Sequence, residues 1–325
     1  ARVSALLTED QKFTGSRIDF SADVPDSLKL GETLGLPIRK TVGITLRGTG
    51  EITAAGIKFE SAQGKVGPHK YAASGELPLY SNEPALNFDA AIEGPDLAEL
   101  VSIFAVTDRI PAMPYQLGGT LLFANNTLSL KPVSGNIGDN KISADGTLQF
   151  AGSTPDIDLK LSADGTNLNS ILQTQGIEGG PAESYAVTSL FKLSDSGITI
   201  SELDFKTQDD LLQGTITVGE DNNPGLVYFD LSGKGADLRS LLPTIPGYTP
   251  AAVPFTVLAK GNIDQQRISI PELSATLGTA KLSLAGELDL PPNLKATGVT
   301  LKASGPQLSD LGSLTAWGSP DYAFD

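Results

Sequence analysis

The sequence repeats itself with a period of about 70 residues, and this restricts the fold more than any single residue does. Four strand-like runs end in a small or polar residue and pass into a short leucine-spaced segment: Glu93-Gly94-Pro95-Asp96-Leu97-Ala98-Glu99-Leu100, Asp164-Gly165-Thr166-Asn167-Leu168-Asn169-Ser170-Ile171, Gly235-Ala236-Asp237-Leu238-Arg239-Ser240-Leu241 and Ser304-Gly305-Pro306-Gln307-Leu308-Ser309-Asp310-Leu311. Their first leucines, Leu97, Leu168, Leu238 and Leu308, lie 71, 70 and 70 residues apart, and Leu28 precedes the first by 69. A second mark, x-Gly-Glu/Thr-Leu/Ile, recurs around Gly75, Gly146, Gly214 and Gly286, at intervals of 71, 68 and 72. The sequence therefore divides into a tail (1–27), four repeats (28–97, 98–168, 169–238 and 239–308) and the start of another (309–325).

Within a repeat the apolar period is two, which is the period of strands. Ile142, Ala144, Gly146, Leu148 and Phe150 alternate with Lys141, Ser143, Asp145, Thr147 and Gln149, and similar runs occupy 156–164 and 280–290. Turn-forming clusters at 138–141, 152–155 and 220–225 separate such runs, and glycine (35) and proline (21) supply the breaks. The expectation is a mainly β chain, an extended, twisted antiparallel sheet in which each repeat contributes about four meandering strands and one short helix. Asp96, Asn167 and Asp237 are the expected helix caps. One face of the sheet is apolar and the other polar.

Composition removes several chemistries. Without cysteine there is no thiol nucleophile, disulfide or zinc finger, and one histidine cannot build a multi-histidine metal site. A net charge of −15 disfavours nucleic acid as a partner. A cysteine-free chain suits an oxidising compartment such as a periplasm. The longest apolar runs, 100–106 and 251–259, are about half the ~20 residues that span a bilayer. The chain opens Ala-Arg-Val-Ser and ends Tyr-Ala-Phe-Asp, and reads as a piece of something longer.

Area sharpens the question. Four strands of about nine residues present roughly 580 Å² of apolar face per repeat. A ten-residue helix covers about 150 Å² of it. Four repeats leave about 1,700 Å² bare, beyond the largest patches of ordinary monomers. An alternating face is in most proteins packed core, and a sandwich or solenoid closing over it is one reading. A partner or lipid chains are the others.

The strand–glycine–strand repeats, the Gly-Pro-Asp-Leu-Ala-Glu-Leu (94–100) and Gly-Pro-Gln-Leu-Ser-Asp-Leu (305–311) helix starts and the Leu-Lys-Pro-Val-Ser-Gly-Asn-Ile-Gly (130–138) strand pair resemble the bacterial AsmA-like family, grouped with TamB-type and bridge-like lipid-transfer proteins. The resemblance covers nearly the whole chain as a style of repeat. It implies a β-taco groove in the periplasm of a Gram-negative bacterium, a parent anchored in the inner membrane, and phospholipids or other acyl-chain lipids as partners. Inner- and outer-membrane proteins would meet its ends. Alternation nominates as groove lining Leu121 and Phe123, Leu148 and Phe150, Leu159 and Leu161, Ile216 and Val218, Phe229 and Leu231, and Leu282, Leu284 and Leu288, an assignment that slips by one residue wherever a bulge occurs. Transport down such a track needs no catalytic residue, metal or cofactor. A structural or adhesive β-repeat with a closed core, a polysaccharide-active enzyme, and an outer-membrane assembly factor that accepts protein strands remain alternatives.

Isolated polar groups are read as structural. His69, in Gly67-Pro68-His69-Lys70, is expected to be a surface turn residue. Gly48-Thr49-Gly50 and Gly233-Lys234-Gly235 lack the third glycine of a dinucleotide loop. Asp221-Asn222-Asn223 fits no calcium loop, and Asp156 with Asp158 and Asp209 with Asp210 lack the cleft that paired acids need. Trp317 is expected to pack near the end of the chain.

Overall fold

The computed structural model describes residues 2–6, 13–29, 38–78, 85–103, 112–150, 155–174, 182–219, 223, 225–237, 239, 252–264, 266–289 and 296–306. Leu238, Leu308, Trp317 and the repeat start expected at 309–325 lie outside them. Two compact units divide the chain, Ala1–Pro155 and Asp156–Asp325, a division that falls within the stretch 98–168 read above as one repeat.

Unit one holds β1 (Arg2–Leu6), β2 (Arg17–Val24), β3 (Ile44–Ile52), β4 (Gly56–Val66), β5 (His69–Pro78), β6 (Leu86–Gly94), β7 (Tyr115–Ala124), β8 (Thr127–Ile137) and β9 (Asn140–Gln149), with helix α1 (Leu97–Ser102) between β6 and β7. Unit two holds β10 (Asp156–Gly165), β11 (Tyr185–Ser194), β12 (Gly197–Lys206), β13 (Asp210–Val218), β14 (Val227–Gly235), β15 (Phe255–Ile263), β16 (Arg267–Leu277), β17 (Ala280–Asp289) and β18 (Ala296–Ser304), with α2 (Leu168–Thr174) between β10 and β11. Every strand is antiparallel to its successor within its unit. Among the described residues neither unit pairs its first strand with its last, so each is an open meander.

Local chemistry sets the turns. Asn125 and Asn126, both at positive φ (51° and 58°), close the two-residue β7–β8 hairpin, the type I′ geometry that matches strand twist. In the β8–β9 turn Gly138 takes φ 55° and donates its N–H to the Pro114 carbonyl at 2.7 Å. The same bond runs from Gly278 to Pro254 at 2.8 Å and from Gly67 to Gly43 at 2.9 Å.

Four strands, β4, β8, β12 and β16, are bulged against both neighbours. The extra residue falls at Glu60-Ser61, Lys131-Pro132, Ser201-Glu202 and Pro271-Glu272 respectively. Two of these pairs contain proline, which has no N–H for a ladder and is tolerated inside a sheet at such a break. Directly beside each bulge the next strand supplies a glycine: Gly75 faces Phe59, Gly146 faces Leu130, Gly214 faces Leu203 and Gly286 faces Ile270. Gly214 has φ +147°, and a Cβ there would strike the Asp230 carbonyl oxygen and come within 2.9 Å of Leu231 Cα. The mid-strand glycine is thus demanded by both backbone conformation and close approach of the next strand.

The helices are shorter than the ten residues assumed above, at six and seven. Asp96 accepts from the Glu99 N–H (3.2 Å), Asn167 from the Ser170 N–H (3.3 Å) and Asp237 from the Arg239 N–H (3.0 Å). Backbone bonds tie both helices to the chain entering the next strand: Leu97 N–H to Met113 O (2.9 Å) and Leu168 N–H to Glu183 O (2.8 Å).

Among the described residues only Ile103, Tyr115, Leu168, Tyr185, Phe255, Leu277 and Ala280 are buried hydrophobics. Leu168 opens α2 and Ile103 caps α1, and the other five stand at strand ends. Tyr115, Tyr185 and Phe255 open the strands that follow the expected repeat starts, and Phe255, Leu277 and Ala280 are aligned across β15, β16 and β17. The rest of each sheet face lies outside this core.

Candidate functional site

Partners in an antiparallel register share a face, so the ladders assign every strand residue to one side. In unit one, Leu86, Phe88, Ala90 and Ile92 of β6 align with Phe123, Leu121, Gly119 and Leu117 of β7, and these with Leu128, Leu130, Val133 and Gly135 of β8. In unit two, Leu159 aligns in turn with Phe191, Ile200, Ile216 and Phe229. Followed through all the registers, this side of each unit carries among the described residues no lysine, arginine or glutamate and one aspartate, Asp210, at the start of β13.

The opposite side carries the charge. Cross-strand ion pairs join Lys70 to Glu93 (3.0 Å), Lys192 to Asp158 (2.9 Å), Lys260 to Asp230 (3.1 Å) and Arg267 to Glu287 and Asp289 (2.9 Å each). All are solvated, so each adds little to stability. Hydrogen bonds from Lys206 and then Gln213 hold the Asp204 carboxyl below the usual carboxylate range. Asp289, followed by Glu287, raises the Arg267 guanidinium above its ordinary value. These pairs solvate one face and fix register without closing the other.

Twelve of the thirteen nominated residues lie on this apolar side of their unit: Leu121, Phe123 and Leu148 in unit one, and Leu159, Leu161, Ile216, Val218, Phe229, Leu231, Leu282, Leu284 and Leu288 in unit two. Phe150 follows the end of β9, donates its N–H to Asn126 O at 2.8 Å and is 41% exposed. None of the thirteen is fully buried. The same side also holds residues that alternation missed, among them Leu128, Leu130 and Val133 of β8 and Ile198, Ile200, Leu203 and Phe205 of β12. A bulge interrupts each of these runs and shifts its phase by one residue.

His69 is not a surface turn residue. It is the first residue of β5, 0% exposed, and neither ring nitrogen has a hydrogen-bond partner. Its ring lies 5.8 Å from that of Tyr115, whose hydroxyl is also buried without a partner. Burial, with the Glu99 charge adding, pushes the Tyr115 phenol up to about 12. The turn Gly67-Pro68 places His69 on the apolar side, where the corresponding turn at Gly138-Asp139 places Asn140; Asn140 instead donates to Ile137 O at 3.1 Å.

The remaining candidates disperse. Asp156 and Asp158 are exposed on the charged side, Gly48, Gly50, Gly233 and Gly235 lie inside β3 and β14, and Asn223 accepts the Gly225 N–H at 3.2 Å. Asp221 and Asn222 lie outside the described residues. Among the described residues no three histidine or acidic side chains come together as metal ligands, and no helix is long and apolar enough to cross a membrane. No protein-family model, curated protein or solved structure matches the chain.

Proposed function

We propose that the apolar faces hold lipid acyl chains, and that the chain is a segment of a repeating β-groove of the AsmA-like, bridge-like lipid-transfer type, working in the periplasm between inner and outer membranes. The observation that carries this is the pairing of a face without basic groups with the near absence of buried hydrophobic side chains on it. Nine strands of about nine residues present on the order of 1,300 Å² per unit. A six-residue helix is about 9 Å long and covers under about 100 Å² of that. Moving a methylene from water onto such a surface gains up to about 0.8 kcal/mol. A lipid advancing by one strand spacing exchanges like contact for like, so no chemical step is required.

The 70- and 71-residue spacing of the bulged pairs, at 60–61, 131–132, 201–202 and 271–272, supports a repeating unit. A closed-core adhesive protein accounts poorly for only seven buried hydrophobics among the described residues. A second reading, an outer-membrane assembly factor that accepts strands, draws support from β18, where Val299 and Leu301 are 47% and 65% exposed.

The test is solvent extraction and native mass spectrometry of protein purified without detergent. Co-purified phospholipid is expected, lost in Leu148→Asp and Ile216→Asp proteins whose circular dichroism is unchanged. A lipid-free wild type, or unfolding by both substitutions, would show the face to be core.

A further inference from the structure

In unit two helix α2 and the apolar face share the lining of a cavity. This cavity, of about 300 Å³, lies between Leu168 and Leu172 of α2, Phe205 of β12, Leu212 of β13 and Phe255 of β15, with Gly233 of β14 in its lining. Gly233 opens it. The cross-strand pair Leu212–Gly233 stands where unit one, at the corresponding strands, has Tyr71–Ile92. Two large side chains there become one, and the missing one is not replaced from α2. Tyr185 stacks on Phe205 at 6.3 Å and fixes that wall.

The polar lining is one-sided. Asp210, the single charge on the face, lines the cavity, while its Oδ1 is enclosed against Gly235. Glu183 also lines the cavity, while Thr207 Oγ1 already accepts the Asp210 N–H at 3.2 Å. Lys206 pairs with Asp204 at 2.6 Å and Arg239 with Asp237 through its Nε at 2.9 Å. The cavity is therefore lined by apolar side chains and two carboxylates, with no basic side chain among the described residues of its lining.

We propose that this cavity binds a single alkyl chain of about ten carbons whose head is an N–H-bearing ammonium, the chain lying between α2 and the sheet and the head beside the Asp210 and Glu183 carboxylates. Its volume matches about ten groups of ~30 Å³ each. Two carboxylates in the lining of an apolar cavity favour a charged donor and repel an anion. The proposal rests on the acyl-chain reading of the face and adds to it a site with a head-group preference.

The experiment is calorimetric titration of the delipidated full chain with hexyl-, octyl- and decylammonium, decyltrimethylammonium and decanoate, each below its micelle concentration. One equivalent of decylammonium is expected, with affinity rising about fourfold per carbon up to that length. Decyltrimethylammonium, which keeps the charge and lacks the N–H, should bind at least tenfold more weakly, and decanoate weakest of all. Asp210→Asn should bring decylammonium and decanoate within threefold of each other. Gly233→Leu and Leu172→Trp, which fill the cavity from opposite walls, should each abolish decylammonium binding, and phospholipid extracted from detergent-free preparations should persist in both. Equal affinity for decanoate and decylammonium in the wild type, or decylammonium binding that survives Leu172→Trp in folded protein, overturns the proposal. Intact decylammonium binding without any co-purified phospholipid overturns the groove reading and leaves the site standing.

Discussion

Replacing Gly214 by alanine tests whether the bulge–glycine pairing shapes the sheet. The site combines two penalties. An L-residue held at φ +147° costs about 1–3 kcal/mol. The new Cβ would also strike the Asp230 carbonyl and sit 2.9 Å from Leu231 Cα, both backbone, so no side chain can swing away. Overpacking of that kind costs about 1–3 kcal/mol more. The total, about 2–6 kcal/mol, is a large part of an ordinary domain's stability. With a urea dependence of about 2 kcal/mol per molar, the midpoint should fall by roughly 1–3 M. Gly118→Ala is the control, because its Cβ would meet nothing nearer than Ala90 O at 3.4 Å. That change should be neutral or stabilise by up to about 1 kcal/mol through the unfolded chain. Urea titrations followed by far-ultraviolet circular dichroism give both numbers. A Gly214→Ala midpoint within ~0.3 M of wild type would refute the reasoning, since the strand pair would then relax freely around a side chain.

Two further substitutions probe the helix-side core. Tyr115, pushed up to about 12, stays neutral in the folded protein while the unfolded chain ionises near 10. The stability it carries is complete below pH 10 and disappears as pH rises towards and through 12; Tyr115→Phe should flatten that alkaline loss, read as urea midpoints at pH 8, 10 and 11, and identical slopes would contradict it. His69→Asn should place a side chain that donates to Val66 O, as Asn140 does to Ile137 O, and raise stability by about 1 kcal/mol at neutral pH in the same assay; a loss of stability would mean that the imidazole's packing on Tyr115 outweighs its unmatched nitrogens.

Strict alternation made β9, β10, β13, β14 and β17 legible, because none of them carries an inserted residue on its own ladder. Those strands hold most of the nominated liners. The apolar sides of β8, β12 and β16 were hidden by their own bulges: in β12 the apolar positions are even up to Ile200 and odd from Leu203. A signal was present, since Lys131-Pro132 and Pro271-Glu272 put proline inside an otherwise strand-like run. His69 was misread for a different reason. Gly-Pro before it correctly marked a turn, but in a two-residue hairpin the next residue already belongs to a strand, and register turned it inward. The cavity beneath α2 was beyond reach of pattern alone, because it depends on a missing side chain at Gly233 and on how far a seven-residue helix stands from the sheet.

The succession of strands, each paired with the next in sequence, has a consequence for how such a chain is made. Each strand bonds only to its immediate predecessor and successor in its unit, so contact order is low and loop-closure entropy is small at every step. A ribosome delivers about 5–20 residues per second, whereas a hairpin closes in microseconds. Each new strand can therefore dock on the one before it within the time of its own synthesis, exposing a single unsatisfied edge at any moment. A topology of this kind tolerates the gain or loss of whole strand pairs without rethreading, which makes its length an adjustable quantity.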